Sequence, residues 1–152
     1  ASGLAHDAGR KVALTLSDLF CVERHHDDFL PLVRERIDIL FANEAEACAL
    51  WGCDEVGAAV ERARAEVAVA CITLSEKGSV VVAGPETHEV PAQPVEVVDT
   101  TGAGDLYAAG FLYGYTNGRT LPQCGELGSL AAAEVISHIG ARSEVALGSL
   151  LP

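Results

Sequence analysis

The sequence predicts an α/β fold: a parallel sheet core with a small antiparallel pair appended. Short, fully apolar runs of strand length are bounded by turn residues, as in strands buried on both faces. They alternate with longer patterns of helical period, the order that builds parallel crossovers. A Thr-Thr-Gly-Ala-Gly turn at residues 100–104 stands between a β-branched run and a helix pattern, which adds a strand–turn–helix junction.

The elements follow in order. Ala1 to Gly9 reads as the tail of a helix ending on a C-cap glycine. Lys11 to Ser17 is expected as a buried strand, followed by a polar turn and a helix from Asp27 to Arg36. Ile37 to Ala42 is a second apolar strand, ending at Asn43. Helices are expected over Asn43–Trp51 and Glu55–Glu66, separated by Gly52-Cys53-Asp54. Val67 to Leu74 is a third buried strand. Ser79–Ala83 and Thr87–Val90, either side of Gly84-Pro85, read as the antiparallel pair. Val95 to Val98 is the β-branched strand before the glycine turn. Two closing helices are expected over Gly104–Asn117 and Leu121–His138, with Gly118 and Gly140 as stops. The lone Trp51 reads as a core residue at a helix end.

Composition narrows the function. At 152 residues with 49% hydrophobic content the chain can bury one core. A formal net charge of −12 argues against nucleic acid or an anionic membrane as partner and for a small-molecule ligand. The five cysteines, Cys21, Cys48, Cys53, Cys71 and Cys124, are odd in number and form no Cys-x-x-Cys pair, so they read as reduced thiols of a cytoplasmic protein. His25-His26-Asp27-Asp28 reads as a solvated face rather than a metal site. No apolar run has the length of a membrane span, and there is no signal-peptide pattern.

The 99–105 segment carries the chemistry. The small residues Gly102, Ala103 and Gly104 let backbone N–H groups converge at a helix start, which makes an anion hole. Asp105 at that start has two readings, a carboxylate capping the helix or a base beside a bound phosphate. A P-loop is excluded, because no glycine is followed by Lys and Ser or Thr at the required spacing. A dinucleotide fingerprint fails too, since Tyr107 stands where its third glycine would fall.

The string Asp99-Thr100-Thr101-Gly102-Ala103-Gly104-Asp105 resembles the second signature of the PfkB-type carbohydrate kinases, the ribokinase-like family. The resemblance implies a ribokinase-like three-layer α/β/α fold, of which residues 1–152 would be the C-terminal nucleotide-binding and catalytic part, without the N-terminal half and lid. The absence of Met and the helix-tail start agree with a piece of a longer protein. Also implied are ATP and Mg²⁺, K⁺ as a candidate ion, a sugar or nucleoside acceptor, and a homodimer through the lid. On the resemblance Asp105 takes the proton from the acceptor hydroxyl and the Gly102-Ala103-Gly104 amides hold the transferring phosphoryl group.

Four further elements support it, each with a plainer reading beside it. Asn43 and Glu46, three apart at a helix start, form a capping box in all but the Asn; the resemblance makes them the Asn-x-x-Glu pair that arranges Mg²⁺-bound water and nucleotide phosphates. Thr73-Leu74-Ser75-Glu76-Lys77-Gly78 is a turn between strands or the nucleotide-contacting loop, with Ser75 where glycine is usual. Asp99 binds neighbouring N–H groups or, by resemblance, holds a monovalent cation together with the loop His138 to Arg142. Thr101 and Ser129 complete the nucleotide-binding set; the small-residue run Leu127 to Ala133 serves close helix packing or a flat adenine pocket. The strand ends at Asn43, Thr73 and Asp99 are expected to meet at one edge.

The resulting expectation is transfer of the γ-phosphoryl of ATP to a hydroxyl, leaning through residues 38–46 to the adenosine-kinase-like branch. The alternatives are a vitamin kinase of the same superfamily and a nucleotide-binding module without turnover.

Overall fold

Strands β2 (Ile39–Asn43) and β3 (Val69–Thr73) run parallel, with Ile39 opposite Val69 and Asn43 opposite Thr73. They are the buried centre of a five-stranded sheet of order β1-β2-β3-β4-β5, where β1 is Ala13–Thr15, β4 Ser79–Ala83 and β5 Glu86–Val90. β1 joins parallel, Ala13 opposite Ile39. The links before β4 and β5 are too short for a parallel crossover, so the last two strands return as hairpins and the sheet is mixed. This computed structural model describes residues 1–150. They separate into two units, residues 1–73 with 80–87, and residues 74–79 with 88 onward.

In the first unit, α1 (Ser2–Asp7), α2 (Leu19–Arg24), α3 (His26–Arg36), α4 (Glu44–Trp51) and α5 (Val56–Glu66) connect and flank the strands. The core holds Leu16, Val22, Val33, Leu40, Leu50 and Ile72, all nearly inaccessible. Burying such side chains is worth about 1.5–3 kcal/mol each. Glu66 at the end of α5 accepts two hydrogen bonds from Arg34, both 2.9 Å, and one from Trp51 Nε1–H at 2.8 Å. Trp51 is therefore a half-buried, hydrogen-bonded strut rather than a plain core residue. Arg64 donates to the Gly84 carbonyl at 2.7 Å and to Thr87 Oγ1 at 2.6 Å, which fixes the β4–β5 turn to α5.

Three expectations are corrected. The first strand is only Ala13–Thr15 and none of its residues is buried, because β1 is an edge strand with a neighbour on one side. It stops where Ser17 takes a positive φ of 63°. The expected polar turn contains α2, started by Asp18, whose carboxylate accepts from the Cys21 N–H at 3.0 Å. Val95 to Val98 is not a strand; the N–H groups of Val98 and Asp99 reach the Ile136 carbonyl at 2.8 and 3.3 Å, so this segment pairs with a helix end.

In the second unit, α6 (Ala103–Thr116) and α7 (Leu121–Ile136) form a helical hairpin. A Cβ added at Gly110 would overlap the Leu127 carbonyl and stand 3.0 Å from Gly128 Cα, so the helices touch backbone to backbone. Tyr107 on α6 and Ser79, both buried, share a 2.8 Å hydrogen bond. Among the described residues no helix is long and apolar enough to cross a membrane.

Candidate functional site

In the first unit the sheet register makes Asn43 and Thr73 neighbours at the ends of β2 and β3. Asn43 Oδ1 accepts from the Glu46 N–H and Glu46 Oε2 accepts from the Asn43 N–H, both at 2.9 Å. The pair is thus a complete capping box that starts α4. Glu46 is only 5% exposed, and burial is the main influence raising its carboxyl, against the Asn43 N–H that lowers it. Its second oxygen, Oε1, has no hydrogen-bond partner among the described residues.

In the second unit, Ser75 opens a one-turn 3₁₀ helix, Ser75–Lys77, which Gly78 ends. Ser75 adopts φ 54° and Gly78 φ 98°. The serine therefore holds the left-handed conformation in which glycine is usual, at a steric cost, and the loop is closed by the Leu74 N–H on the Gly78 carbonyl at 2.7 Å.

The glycine turn lies in the same unit. Asp99 Oδ1 accepts from the Thr101 N–H at 2.9 Å and its hydroxyl at 2.7 Å, while Oδ2 accepts from the Gly140 N–H at 3.0 Å. The Thr101 hydroxyl, then the Gly140 and Thr101 N–H groups, hold the Asp99 carboxyl down at about 2. Gly102 is the N-cap of α6 with φ 85°, and an added Cβ there would lie 2.9 Å from Ala141 Cβ, so only glycine fits. The Ala103 N–H bonds to the Thr100 carbonyl at 3.2 Å. The N–H groups of Gly104 and Asp105, second and third in the helix, have no partner among the described residues. Asp105 is exposed, and its carboxylate neither caps α6 nor pairs with any described group. Two aligned donors and an unengaged carboxylate therefore share one helix start, where the dipole favours an anion.

Ser129 is buried on α7, and its side chain makes no hydrogen bond among the described residues. The run around it lies against α6, which is the close-packing reading of those small residues. A cleft of about 220 Å³ is lined by Ala109, Tyr113, Leu127, Leu130, Ala131 and Leu147 among others, and Ser129 is not among them. Sequence reasoning missed Gly140 and Ala141 as the residues that seat the turn. Their signal was the small pair behind α7, read only as a helix stop and cation loop.

Residues 12–146 match the profile of the pfkB family carbohydrate kinases. The chain is 40% identical over 116 residues to a cytidine kinase of Thermococcus kodakarensis, covering 74% of this chain and 42% of that protein. It superposes on the crystal structure of adenosine kinase from Sinorhizobium meliloti with TM-score 0.94 and 52% identity, covering 97% of this chain and 46% of the other. A probable sugar kinase from Rhizobium etli gives TM-score 0.94 and 47% identity, with 99% and 48% covered. The chain thus spans less than half the length of each of these relatives.

Proposed function

The chain belongs to the pfkB family of carbohydrate kinases, and from that premise we propose that it is the nucleotide-binding and catalytic part of an ATP-dependent sugar or nucleoside kinase. The observation that supports this most is the start of α6, where the Gly104 and Asp105 N–H groups and the Asp105 carboxylate are all unengaged among the described residues.

In this reading the Gly104 and Asp105 N–H groups at the start of α6 donate to the charge that gathers on the transferring γ-phosphoryl, while the Ala103 N–H stays on the Thr100 carbonyl. Asp105 Oδ takes the proton from the acceptor hydroxyl as that oxygen attacks phosphorus and the bond to the ADP oxygen breaks. Thr101 holds the turn through Asp99, and the Ser75–Gly78 loop contributes backbone to the nucleotide. Asn43, Glu46 and Thr73 are assigned to nucleotide phosphates and metal-bound water, and Ser129 to the base.

Mg²⁺ would neutralise the phosphates when bound; the unpartnered Oε1 of Glu46 suits a carboxylate that holds it through water. Asp99 already accepts three hydrogen bonds, so it enters as the clamp of the turn and no step is given to a monovalent cation. The names of the relatives, cytidine kinase and adenosine kinase, favour a nucleoside as acceptor.

Calorimetry with a non-hydrolysable ATP analogue and Mg²⁺, run beside a turnover assay, tests the proposal. Binding by the chain, with turnover only in the complete kinase fold, supports it. Binding with no turnover in the complete fold would favour a nucleotide-binding module.

A further inference from the structure

Behind the glycine turn the second unit holds a carboxylate that phosphoryl transfer does not use. Glu134 lies in the last turn of α7, where the helix dipole disfavours negative charge, and its side chain is only 11% exposed. Its Oε2 is buried with no hydrogen-bond partner, a second cost. Oε1 answers both: it accepts from the Glu144 N–H at 2.8 Å and lies 3.3 Å from His138 Nε2. Burial raises the Glu134 carboxyl, but the nearby Ser143 hydroxyl, the Glu144 N–H and His138 together outweigh it and leave it below the ordinary range. The group is therefore ionised at neutral pH.

One oxygen thus pins both ends of the segment from His138 to Glu144. The middle of that segment touches the turn twice. The Gly140 N–H holds Asp99 at 3.0 Å, and Ala141 stands so close to Gly102 that a Cβ there would meet it at 2.9 Å. Asp99 in turn holds Thr101, the residue before Gly102. Glu134 itself hydrogen-bonds to His138 and Glu144 and to none of Asp99, Thr101 or Gly102, so whatever it does to the turn is done through the loop.

We propose that Glu134 is a positioning residue: by stapling residues 138–144 it presents Gly140 to Asp99 and Ala141 to Gly102, and so fixes the amides that open α6. The importance of those amides rests on the kinase reading above; the positioning itself does not.

The test is amide hydrogen exchange, followed by NMR, in the whole chain and two variants. Glu134→Asp keeps the charge but shortens the arm by one methylene, out of reach of the Glu144 N–H. Glu134→Gln keeps length and an acceptor oxygen. The expected result is exchange at the Gly140 and Thr101 amides about 10-fold faster or more in Glu134→Asp, within about 3-fold of the parent in Glu134→Gln, and unchanged at β2 and β3 amides. Parent-like protection of Gly140 and Thr101 in Glu134→Asp, or equal loss in both variants, would overturn the proposal. Because exchange is read without turnover, failure of the kinase reading would leave this result interpretable.

Discussion

Asp99 and Gly140, 41 residues apart, are joined by a 3.0 Å hydrogen bond from the Gly140 N–H to Asp99 Oδ2. With Thr101 on the other oxygen, this carboxylate ties the loop behind α7 to the start of α6. The bond gives the turn its shape without any basic side chain, in a chain of net charge −12.

The Asp99 clamp has a signature in pH. Its carboxyl is held at about 2 in the folded chain, against about 3.9 unfolded. A depressed folded value means the contribution is fully present above the unfolded value and is lost as pH falls through about 2. Melting temperatures between pH 4 and pH 2 should fall more steeply in the parent than in Asp99→Asn, which starts lower and lacks this component. Parallel curves would remove the clamp.

Ser75 carries a removable strain. Its φ of 54° is costly for an L-residue, while glycine loses more chain entropy on folding. Ser75→Gly should raise unfolding free energy by about 0.5–1 kcal/mol in urea denaturation. A loss of stability would mean that the serine side chain contributes something not visible in its contacts.

Gly110 is the opposite case. A methyl there would overlap the Leu127 carbonyl backbone, which cannot rotate away. Gly110→Ala should cost about 1–3 kcal/mol by forcing α6 and α7 apart, measurable as a lower denaturation midpoint. A neutral result would show that the helix pair is loosely packed.

Trp51, the single tryptophan, reports on Glu66. The hydrogen bond from Arg34 is the main cause that holds the Glu66 carboxyl below its ordinary range, with Trp51 assisting. Protonating Glu66 weakens the bond to Trp51 Nε1–H, so fluorescence should change with a midpoint below about 4.3. Arg34→Met should move that midpoint upward. An unmoved midpoint would show that Arg34 does not set it.

What could be read in the sequence follows the range of the forces. The apolar runs read as strands over Ile37–Ala42 and Val67–Leu74 are found as Ile39–Asn43 and Val69–Thr73, legible because their apolar residues mark burial on both faces, and the Asn43–Glu46 box is written in residues three apart. Val95 to Val98 has strand composition, yet its N–H groups go to the carbonyl of Ile136, a partner that no local pattern names. Gly140 and Ala141 were illegible for the same reason: their partners lie about 40 residues away, and packing rather than periodicity brings them together. Asp105 is the reverse, plain as a residue in the sequence, while only the structure removes its capping reading, since its carboxylate caps nothing.

The central claim is that Asp105 acts on the acceptor proton while the neighbouring amides hold phosphoryl charge. The direct measurement is Asp105→Asn in the complete kinase fold, with kcat and ATP affinity determined together; the 152-residue chain alone is expected to show no turnover. The account predicts that kcat falls by about 10²–10⁴ while ATP affinity stays within a few-fold, since the lost group touches the acceptor and not the nucleotide. An unchanged kcat would contradict it and leave Asp105 as the third residue of a helix and nothing more.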